Sequence, residues 1–376
     1  MIYLSNLPKS KIQNKTALLR VDFNVQDGDL KNSLRIKSVL PTIKYLLNNK
    51  CRVVILSHRG RPKPASRANA EFTLKPFVKI LSSLIGKPVG FIGLKEFGLM
   101  NKTKRRIQNS AAGSVFLLEN LRFLPGEEKN DKKLAKKLAS LGDFYVNDAF
   151  GVSHRANASV AAITKFIPSY AGFLMEKEIK NLNKVKNPKK PFVVILGGAK
   201  ISGKICLIKN FLRKADYFLI GGGIANTFIA SRGLPVGDSL YEKNMVPLAQ
   251  GLIRQMGKKF VLPIDVVIDD GRILDIGPQT AKKYAEIIKK AKTIIWNGPV
   301  GYCEEKCFLY GSLSIAKAII GNKRAFAIIG GGETTSFFTL KTKTYNLKPN
   351  IFLSTGGGAM LEYLAGKTLP GLKALK

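Results

Sequence analysis

The chain has 376 residues, with 62 Lys and Arg against 25 Asp and Glu, a formal net charge of +37 and 45% apolar residues. That length exceeds one typical domain and fits two of ordinary size, and the apolar content suffices for globular cores. No apolar run approaches the roughly 20 residues of a membrane span, and residues 1–11 lack the apolar core of a signal peptide, so we expect a cytoplasmic protein without a membrane segment.

Strand-like and helix-like stretches alternate along the whole chain. In the first half the predicted strands are 17–23, 52–57, 90–92, 114–119 and 144–147, and the predicted helices are 36–48, 74–85 and 131–140. A helix at 173–185 follows, and then the alternation restarts. In the second half the predicted strands are 192–196, 217–220, 259–262, 265–268, 293–296, 325–329 and 351–354, and the predicted helices are 203–215, 224–232, 281–291, 313–320, 334–341 and 359–365.

This alternation predicts parallel sheets with helices on both faces. The two runs, separated near residues 173–191, predict two α/β domains, residues 1–172 and a second that begins with the helix at 173–185. Residues 187–191 (NPKKP) are rich in turn formers and end that helix.

The excess of positive charge predicts polyanionic partners, either nucleic acids or small phosphorylated metabolites. The lysines are dispersed through almost every helix-like stretch, as at residues 132–137 and 289–292. They are not interleaved with aromatic residues, as they would be in a track for single-stranded nucleic acid. Nucleic-acid binding therefore stands as a secondary hypothesis.

The four cysteines are Cys51, Cys206, Cys303 and Cys307. Cys303 and Cys307 are four residues apart, but no nearby His or Cys completes a metal site. We therefore expect free thiols, as in a reducing compartment.

Ligands of open parallel sheets bind beyond the carboxyl ends of the strands, so the residues that follow each predicted strand are the candidates. In the first half they include four arginines and both histidines of the chain. They are Asp22 and Asn24, then His58, Arg59, Gly60 and Arg61, then Arg122, then His154 and Arg155, with Arg35 just ahead of its helix. Because a guanidinium matches a carboxylate or phosphate at two points, this rim predicts a site for a small, multiply charged acid. We favour a functional role for His58, whereas a loop cap explains His154 equally well.

In the second half the strand ends carry glycines, at 197–198, 221–223, 298, 330–332 and 356–358, and three of these groups open a predicted helix. Bare backbone at a helix N-terminus binds phosphate, so this half predicts a nucleotide site. Glu304 and Glu333 follow glycine turns, and one of them could hold Mg²⁺ or a ribose.

Residues 192–205 (FVVILGGAKISGKI) join a buried strand to glycines and then to Lys200 and Lys204, which we expect on one face of a helix. The spacing fits a P-loop, but Ile205 stands where Mg²⁺ needs a hydroxyl, so a P-loop NTPase is excluded. On this loop alone, a glycine turn with two solvated lysines explains the residues equally well. An acid site in one half and a nucleotide site in the other predict a phosphotransferase, which needs positioning and positive charge rather than a base.

Nine segments, taken together and in order, resemble the phosphoglycerate kinase family over essentially the whole chain. They are 20–25 (RVDFNV), 57–62 (SHRGRP), 119–123 (ENLRF), 147–151 (NDAFG) with His154 and Arg155, 197–200 (GGAK), 221–223 (GGG), 296–299 (WNGP), 330–332 (GGG) and 354–359 (STGGGA). The resemblance implies transfer of a phosphoryl group from 1,3-bisphosphoglycerate to MgADP, giving 3-phosphoglycerate and MgATP, in glycolysis. It also implies a monomer of two Rossmann-like, three-layer α/β/α domains with parallel sheets, joined by a hinge helix at 173–185, with residues 364–376 packing back on the first domain.

The resemblance also implies the site residues. It places the sugar acid on Asp22, Phe23, Asn24, Arg35, His58, Arg59, Gly60, Arg61, Arg122 and Arg155. It places the nucleotide on Lys200, Lys204, Gly277, Glu304, Gly331, Gly332, Glu333 and Thr334, with Glu304 at the ribose and Glu333 at the Mg²⁺ of the nucleotide. Arg35 and Lys200 are implied as the catalytic residues, flanking the transferred phosphoryl group once the domains close.

Two positions depart from the family pattern. The family commonly has aspartate where Gly203 stands, which puts the role of Lys204 in doubt, and aspartate where Glu333 stands, which predicts altered metal affinity or preference. A different small-molecule kinase is the third hypothesis, and the order of the motifs disfavours it.

Overall fold

A computed structural model describes residues 1–25, 30–62, 71–342 and 349–376 of the chain. Its contacts divide the chain into two compact units: unit 1 is Met1–Ile179 with Thr368–Lys376, and unit 2 is Lys180–Lys367. The boundaries predicted from the sequence, at 172/173 and 363/364, lie a few residues earlier at both places. The assignment of one ligand to each domain stays a prediction.

Unit 1 is built on a six-stranded sheet of short, mostly buried strands. The strands are β1 (Thr16–Arg20), β2 (Arg52–Leu56), β3 (Val89–Ile92), β4 (Val115–Leu118), β5 (Phe144–Asn147) and β6 (Ser169–Ala171). Their order is β3-β4-β2-β1-β5-β6, and all neighbouring pairs are parallel. The parallel sheet is therefore confirmed, and all the carboxyl ends of its strands meet at one edge.

The helices of unit 1 connect these strands. They are α1 (Leu34–Asn48), α2 (Phe77–Ile85), α3 (Leu94–Gly98), α4 (Met100–Gln108) and α5 (Lys132–Ala139), and α6 (Phe173–Lys184) runs from unit 1 into unit 2. In α1, Ile36, Val39, Ile43 and Leu46 recur every three or four residues and are buried in the core beside the sheet. This spacing gives the helix one apolar face, which fixes where its polar residues point.

Unit 2 has a second six-stranded parallel sheet and a separate hairpin. The sheet strands are β7 (Phe192–Leu196), β8 (Tyr217–Ile220), β9 (Phe260–Val261), β12 (Thr293–Asn297), β13 (Phe326–Gly330) and β14 (Ile351–Leu353), and the hairpin strands are β10 (Val266–Asp269) and β11 (Arg272–Ile276). The sheet order is β14-β13-β12-β7-β8-β9. The strand predicted at 265–268 is present as β10, but it lies outside the parallel sheet, because it pairs antiparallel with β11 across a tight turn at Asp270 and Gly271.

The helices of unit 2 are α7 (Ile205–Phe211), α8 (Gly222–Ser231), α9 (Val246–Met256), α10 (Pro278–Lys290), α11 (Tyr310–Gly321), α12 (Gly332–Thr342) and α13 (Gly358–Leu364). α8, α12 and α13 begin within glycine groups, as predicted. α7 is shorter than the helix predicted at 203–215, since a 3-10 turn at Ser202–Lys204 precedes it and it ends at Phe211.

The chain returns to unit 1 through α14 (Pro370–Lys373). The N–H of Gly371 donates to the carbonyl of Ser153 at 2.8 Å. Leu369 and Leu375, on either side of α14, are buried. These last nine residues are therefore a packed part of unit 1.

Short 3-10 helices fill several connections, at Leu4–Asn6, Lys9–Lys11, Leu30–Asn32, Leu121–Phe123, Phe150–Val152, Ala162–Lys165, Ser202–Lys204, Lys243–Met245, Gly257–Lys259 and Lys306–Phe308. All four cysteines are free, as predicted. Within the four described stretches, no helix is both long enough and apolar enough to cross a membrane.

Candidate functional site

The carboxyl edge of the unit 1 sheet carries an ion pair between Asp22, which follows β1, and Arg35, at the start of α1. Arg35 Nη1 donates to Asp22 Oδ2 at 2.6 Å and to the carbonyl of Asn24 at 3.2 Å. Burial alone would raise the pKa of Asp22, but the charge of Arg35 and the N–H of Asn24, which donates to Asp22 Oδ1, outweigh it and hold that pKa below its usual value. Asp22 is thus an ionised anchor that orients Arg35.

The loops after β1 and β2 are tied to each other around this pair. The N–H of Phe23 donates to Ser57 Oγ at 2.9 Å, and the N–H of Gly60 donates to Asn24 Oδ1 at 2.8 Å. The ring of Phe23 stacks on that of Phe77 with centroids 5.5 Å apart. Gly60 has a φ of +61°, and a Cβ there would collide with a phenylalanine ring, so the close turn needs glycine.

Arg122 and Arg155 extend the positive charge along the same edge. The side chain of Arg122 is 4% exposed, its Nη1 donates to the carbonyl of Gly60, and its Nε lies 3.3 Å from Glu128 Oε1. Burial and the neighbouring charge of Arg155 lower the pKa of Arg122. Arg155 is half-buried, and its Nε lies 3.3 Å from Nε2 of His154.

His58 completes this group. It is 1% exposed, its Nε2 lies 3.8 Å from Asp22 Oδ1, and it feels the charges of Arg35 and Arg122. Five side chains therefore share one electrostatic neighbourhood, which we call the basic cluster: Asp22, Arg35, His58, Arg122 and Arg155.

Arg59 and Arg61 lie differently from the cluster. Arg59 is 6% exposed, donates to the carbonyl of Glu71 at 2.8 Å and lies 5.6 Å from the ring centroid of Phe77. Its guanidinium therefore supports the neighbouring turn, while Arg61 is exposed to solvent. The roles of both at a bound acid stay predictions.

In unit 2 the loops after β7, β8 and β12 pack main chain against main chain. The N–H of Gly198 donates to the carbonyl of Pro299 at 2.7 Å, and the N–H of Gly222 donates to that of Val300 at 2.8 Å. A Cβ on Gly197 would lie 1.9 Å from the carbonyl oxygen of Pro299. We call residues 197–200, 221–223, 298–300 and 330–332, the glycine-containing segments at the ends of β7, β8, β12 and β13, the glycine loops.

Lys200, in the first glycine loop, and Lys204, in the 3-10 turn that follows it, lie in different environments. Lys204 Nζ donates to the carbonyls of Gly197 and, at 3.1 Å, Asn297. Burial lowers the pKa of Lys204 to about 8, although the charge of Glu333 acts in the other direction. Lys200 is exposed and precedes the 3-10 turn, so the prediction that Lys200 and Lys204 share one helix face is wrong.

Glu242 holds this turn and was missed by sequence reasoning. Its Oε2 accepts the N–H of Ser202 at 2.9 Å, and its Oε1 accepts the hydroxyl of Ser202 at 2.7 Å. Its own N–H donates to Thr227 Oγ1 at 3.1 Å. Burial works against ionisation, but the bonds from Ser202 and the charge of Lys200 lower the pKa of Glu242. A carboxylate therefore lies beside the turn at Ser202–Lys204, where a Cβ added to Gly203 would meet nothing within 4 Å.

Two further carboxylates of unit 2, those of Asp265 and Asp275, are fixed by hydrogen bonds. Gly277 is the buried N-cap of α10 and packs against Asp265, which accepts bonds from the N–H and hydroxyl of Thr280. Asp275, which accepts the N–H of Gly311 at 2.8 Å, is 3% exposed, and burial raises its pKa to about 6. Glu304 itself is exposed to solvent.

The last glycine loop leads into α12. Gly331 has a φ of +98°, and α12 begins at Gly332. Thr334 is buried, and its Oγ1 accepts the N–H of Gly298 at 2.8 Å, which ties this loop to the one after β12. Glu333 is exposed in the first turn of the helix.

Glu333 is the residue that fits a nucleotide-borne Mg²⁺. Among the residues that the structure describes, no three or more His, Cys, Asp and Glu side chains form a metal cluster. Mg²⁺ keeps several waters and needs only one or two carboxylates when phosphates bind it too. The exposed Glu333 carboxylate at the start of α12, close enough to Lys204 to affect its pKa, meets that need.

Behind the basic cluster lie three buried residues that sequence reasoning did not assign to the site: Arg20, Glu127 and Ser159, each 0% exposed. The signal in the sequence was an arginine at the end of an apolar strand. Such residues are almost never fully buried unless they are paired.

Comparison with known proteins gives one consistent family. A family model described as phosphoglycerate kinase matches residues 7–367. A relative from Thermosipho africanus, named phosphoglycerate kinase, is 46% identical over 97% of this chain and 96% of its own length. One of the same name from Moorella thermoacetica is 42% identical, over 97% of each chain.

Solved structures give the same result for the fold. The crystal structure of phosphoglycerate kinase from Pyrococcus horikoshii OT3 matches all of this chain and 98% of its own, with a TM-score of 0.86 and 34% identity. The structure of phosphoglycerate kinase from Coxiella burnetii covers the same shares, with a TM-score of 0.80 and 36% identity. These comparisons confirm the predicted two-domain α/β fold and give no support to nucleic-acid binding.

Proposed function

The chain belongs to the phosphoglycerate kinase family, and from that premise we propose how its residues divide the work. The activity is phosphoryl transfer with a carboxyl group as acceptor. The basic cluster binds 3-phosphoglycerate or 1,3-bisphosphoglycerate, and the glycine loops bind ADP or ATP. The observation that carries this division is the Asp22–Arg35 pair at 2.6 Å within a group of further cations at one sheet edge.

The basic cluster suits an acid with a carboxylate and a phosphate. A guanidinium has five N–H donors in a fixed plane, so Arg35 can hold Asp22 and an oxygen of the acid at once. Arg122, Arg155 and His58 supply further positive charge or hydrogen bonds beside it. Because the bonds to Asp22 and Asn24 fix Arg35 before the acid arrives, little ordering of this side chain remains to be done on binding.

The glycine loops suit the phosphates of a nucleotide. Backbone N–H groups at the start of α12, which follows β13 directly, can bind an anion that the helix dipole favours. Lys200, exposed at the loop after β7, can reach such an anion, whereas Lys204 is held by backbone carbonyls. In this proposal Glu304 takes the ribose hydroxyls, and Gly277, Gly331, Gly332 and Thr334 line the nucleotide.

Mg²⁺ bound to the nucleotide, as MgADP or MgATP, would supply neutralisation of the phosphate charge. Glu333 is the residue that would hold it, directly or through water, with a carboxylate one methylene longer than the aspartate common in the family. We expect activity with an altered metal preference.

The chemistry needs no proton transfer by the protein. A terminal ADP oxygen, already ionised, forms a bond to phosphorus as the bond from phosphorus to the carboxyl oxygen of the acid breaks, and the carboxylate leaves. Arg35 and Lys200 stabilise the charge on the moving group. The two ligands must come together for this step, and hinge closure about α6 is the movement that we propose for it.

The roles of Arg35 and Lys200 can be tested by Arg35→Ala and Lys200→Ala. Each change is expected to raise the barrier by about 2–4 kcal/mol, a loss of roughly 30- to 1,000-fold in kcat, because a strong electrostatic donor is removed. Initial rates in a coupled ATP-forming assay give the measurement. Lys44→Ala, on the exposed side of α1, and Lys209→Ala, exposed on α7, are matched controls that should retain normal rates. Near-normal turnover of both test variants would refute the proposed roles.

We also propose a monomer located in the cytoplasm. Light scattering of the purified protein measures its oligomeric state, and fractionation of cells measures its location.

Competition by other phosphorylated acids separates this substrate assignment from that of a different small-molecule kinase.

A further inference from the structure

Arg20 is an arginine at the end of β1 that has no exposed surface. A guanidinium buried in this way is strongly destabilising unless its charge and its donors are matched. Its three nitrogens all have partners: Nε donates to Ser159 Oγ at 2.8 Å, Nη1 donates to the carbonyl of Val21, and Nη2 lies 3.2 Å from His58 Nδ1. All the partners of the Arg20 guanidinium therefore lie inside the protein.

Glu127 supplies the matching negative charge from the other side. Its Oε1 lies 3.9 Å from Arg20 Nη2, and it too is wholly buried. Ser159 bridges the pair, because its hydroxyl accepts from Arg20 and donates to Glu127 Oε1 at 2.6 Å. The N–H of Ser159 also donates to Glu127 Oε2 at 3.0 Å. This network fixes the guanidinium in one orientation.

The contact between Arg20 and His58 has a chemical consequence for the histidine. A guanidinium carries only donors, so His58 Nδ1 must be the acceptor at 3.2 Å. A neutral imidazole has one protonated nitrogen, which places the proton of His58 on Nε2. That atom lies 3.8 Å from Asp22 Oδ1, the other carboxylate oxygen of the residue that holds Arg35.

The charged groups around His58 act on its protonation in both directions. Burial is the largest effect and lowers its pKa, Asp22 raises it, and Arg20, Arg122 and Arg35 lower it. The result is a pKa well below the usual 6.5, in agreement with the neutral ring that the contact with Arg20 requires.

We propose that Arg20 and Glu127 are a positioning pair that holds His58 as a neutral ring with its proton on Nε2, facing Asp22 in the basic cluster. In this arrangement His58 acts on the acid site as a fixed hydrogen-bond donor and not as a cation. This inference rests on the proposed function for its effect on binding, but the tautomer itself does not.

The direct test is the ¹⁵N NMR spectrum of the imidazole rings. The chain has only two histidines, so a His154→Gln variant leaves His58 as the single source of ring signals. Between about pH 5.5 and 8 we expect an unprotonated Nδ1, a protonated Nε2 and no titration. A proton on Nδ1, or a doubly protonated ring within this range, would overturn the proposal. The buried network is unchanged in this variant, so the test does not depend on a mutated core.

A second test removes the pair. Changing only one partner would leave a buried charge unmatched, so the variant is Arg20→Met with Glu127→Gln. We expect a mixture of the two tautomers and a KM for 3-phosphoglycerate about tenfold higher, with the KM for ADP unchanged. A folded double variant with a single Nε2–H tautomer and a normal KM would contradict the proposal.

Titration with 3-phosphoglycerate separates this inference from the proposed function. If the His154→Gln protein shows the expected tautomer and its His58 signals shift on adding the acid, both stand. If the acid binds but the tautomer is wrong, only the inference fails. If the tautomer is right and the acid does not bind to the unmodified chain, the proposed function fails and the positioning of His58 remains.

Discussion

In the proposed function the basic cluster and the glycine loops each bind an anion, and they do so in opposite ways. In unit 1 side chains bind the anion, and another residue orients each of them. Asp22 orients Arg35, and Arg20 orients His58. In unit 2 the main chain is fixed, by contacts as close as that between Gly198 and Pro299. There the charged side chains Lys200, Glu304 and Glu333 stay exposed.

This difference indicates which kind of amino-acid substitution each region tolerates. A site made of locked side chains is sensitive to the loss of a charge or a hydrogen bond. A site made of touching backbones is sensitive to the gain of an atom, and its exposed side chains cost little to move. The following predictions test this contrast, from the largest expected effect to the smallest.

Gly197→Ala is the sharpest test of the backbone-built region. The added methyl group would lie 1.9 Å from the carbonyl oxygen of Pro299, so the loops after β7 and β12 must separate. Overpacking of this kind costs about 1–3 kcal/mol, and we expect ADP affinity to fall by roughly tenfold or more. Calorimetric titration with ADP measures it.

Gly203→Ala is the matched control for Gly197→Ala. It adds the same methyl group in the turn after the same strand, where an added Cβ meets nothing within 4 Å. Its ADP affinity should be unchanged. Equal losses in the two variants would show that chain flexibility, and not close packing, gives the loop its function.

Asp22→Asn tests the region built from side chains. It keeps the size of the residue but removes the charge that holds Arg35, and a hydrogen bond to a charged group is worth about 1.5–3 kcal/mol. We expect the KM for 3-phosphoglycerate to rise at least about tenfold and the KM for ADP to stay the same.

The control for Asp22→Asn is Glu96→Gln, which removes the carboxylate of a surface ion pair, 2.7 Å from Arg106. Exposed pairs contribute little, so both KM values should stay normal. Steady-state kinetics with each substrate varied in turn gives both constants. A parallel rise in both KM values of Asp22→Asn would mean that the residue stabilises the fold as a whole and not the acid site.

Glu242→Gln probes the exposed charge of unit 2. It removes the carboxylate charge beside Lys200 while one amide oxygen can still accept a bond from Ser202. Because exposed charge interactions are worth up to about 1 kcal/mol, we expect a rise of about threefold in the KM for ADP. Glu286→Gln, exposed on α10, is the control. A loss as large as that of Gly197→Ala would contradict the view that side chains matter less in this region.

The last prediction concerns the stability of the fold, through a feature that the two units share. Each buries a carboxylate whose pKa burial raises to about 6: Asp148, which accepts bonds from Thr42 and from the N–H of Met175 at the start of α6, and Asp275. The folded state binds this proton more tightly than the unfolded chain, so each group adds stability as the pH falls through 6 and loses it as the pH rises.

For Asp148 this linkage amounts to about 1 kcal/mol between pH 7 and pH 5. Asp148→Asn should remove that part of the pH dependence, and Asp275→Asn should do the same in unit 2. Urea unfolding of each variant at the two pH values, compared with the unchanged chain, gives the difference. If the free energy of unfolding of Asp148→Asn changes between the two pH values by the same amount as that of the unchanged chain, the assignment is disproved.

Sequence patterns predicted the sheet strands well where nearly every residue is buried. β5, β7 and β8 lie at the predicted residues, because an apolar run bounded by turn residues has few alternatives. β6 was missed because it has three residues and only its last is buried. α4 was missed because most of its residues are polar and only Thr103 and Ile107 are buried, so no apolar stripe marks it.

The candidate site could be predicted as a set of residues but not as a set of contacts. Strand ends of a parallel sheet meet at one edge, so the positions of Asp22, His58 and Arg122 near each other follow from the topology. The pairing of Arg20 with Glu127 does not, since it joins residues far apart in the chain and buries charges that are usually exposed. The hydrogen bond between Ser202 and Glu242 was missed for the same reason, because it joins two loops that are distant in the sequence.

The return of residues 368–376 to unit 1 sets an order of maturation during synthesis. Unit 2 is one continuous stretch, so it can fold as soon as the ribosome has released it. Unit 1 cannot be finished by then, because Leu369 and the bond from Gly371 to Ser153 belong to its interior. Unit 1, whose first residues are made first, therefore cannot be complete until residues 368–376 are made, whereas unit 2 needs none of them.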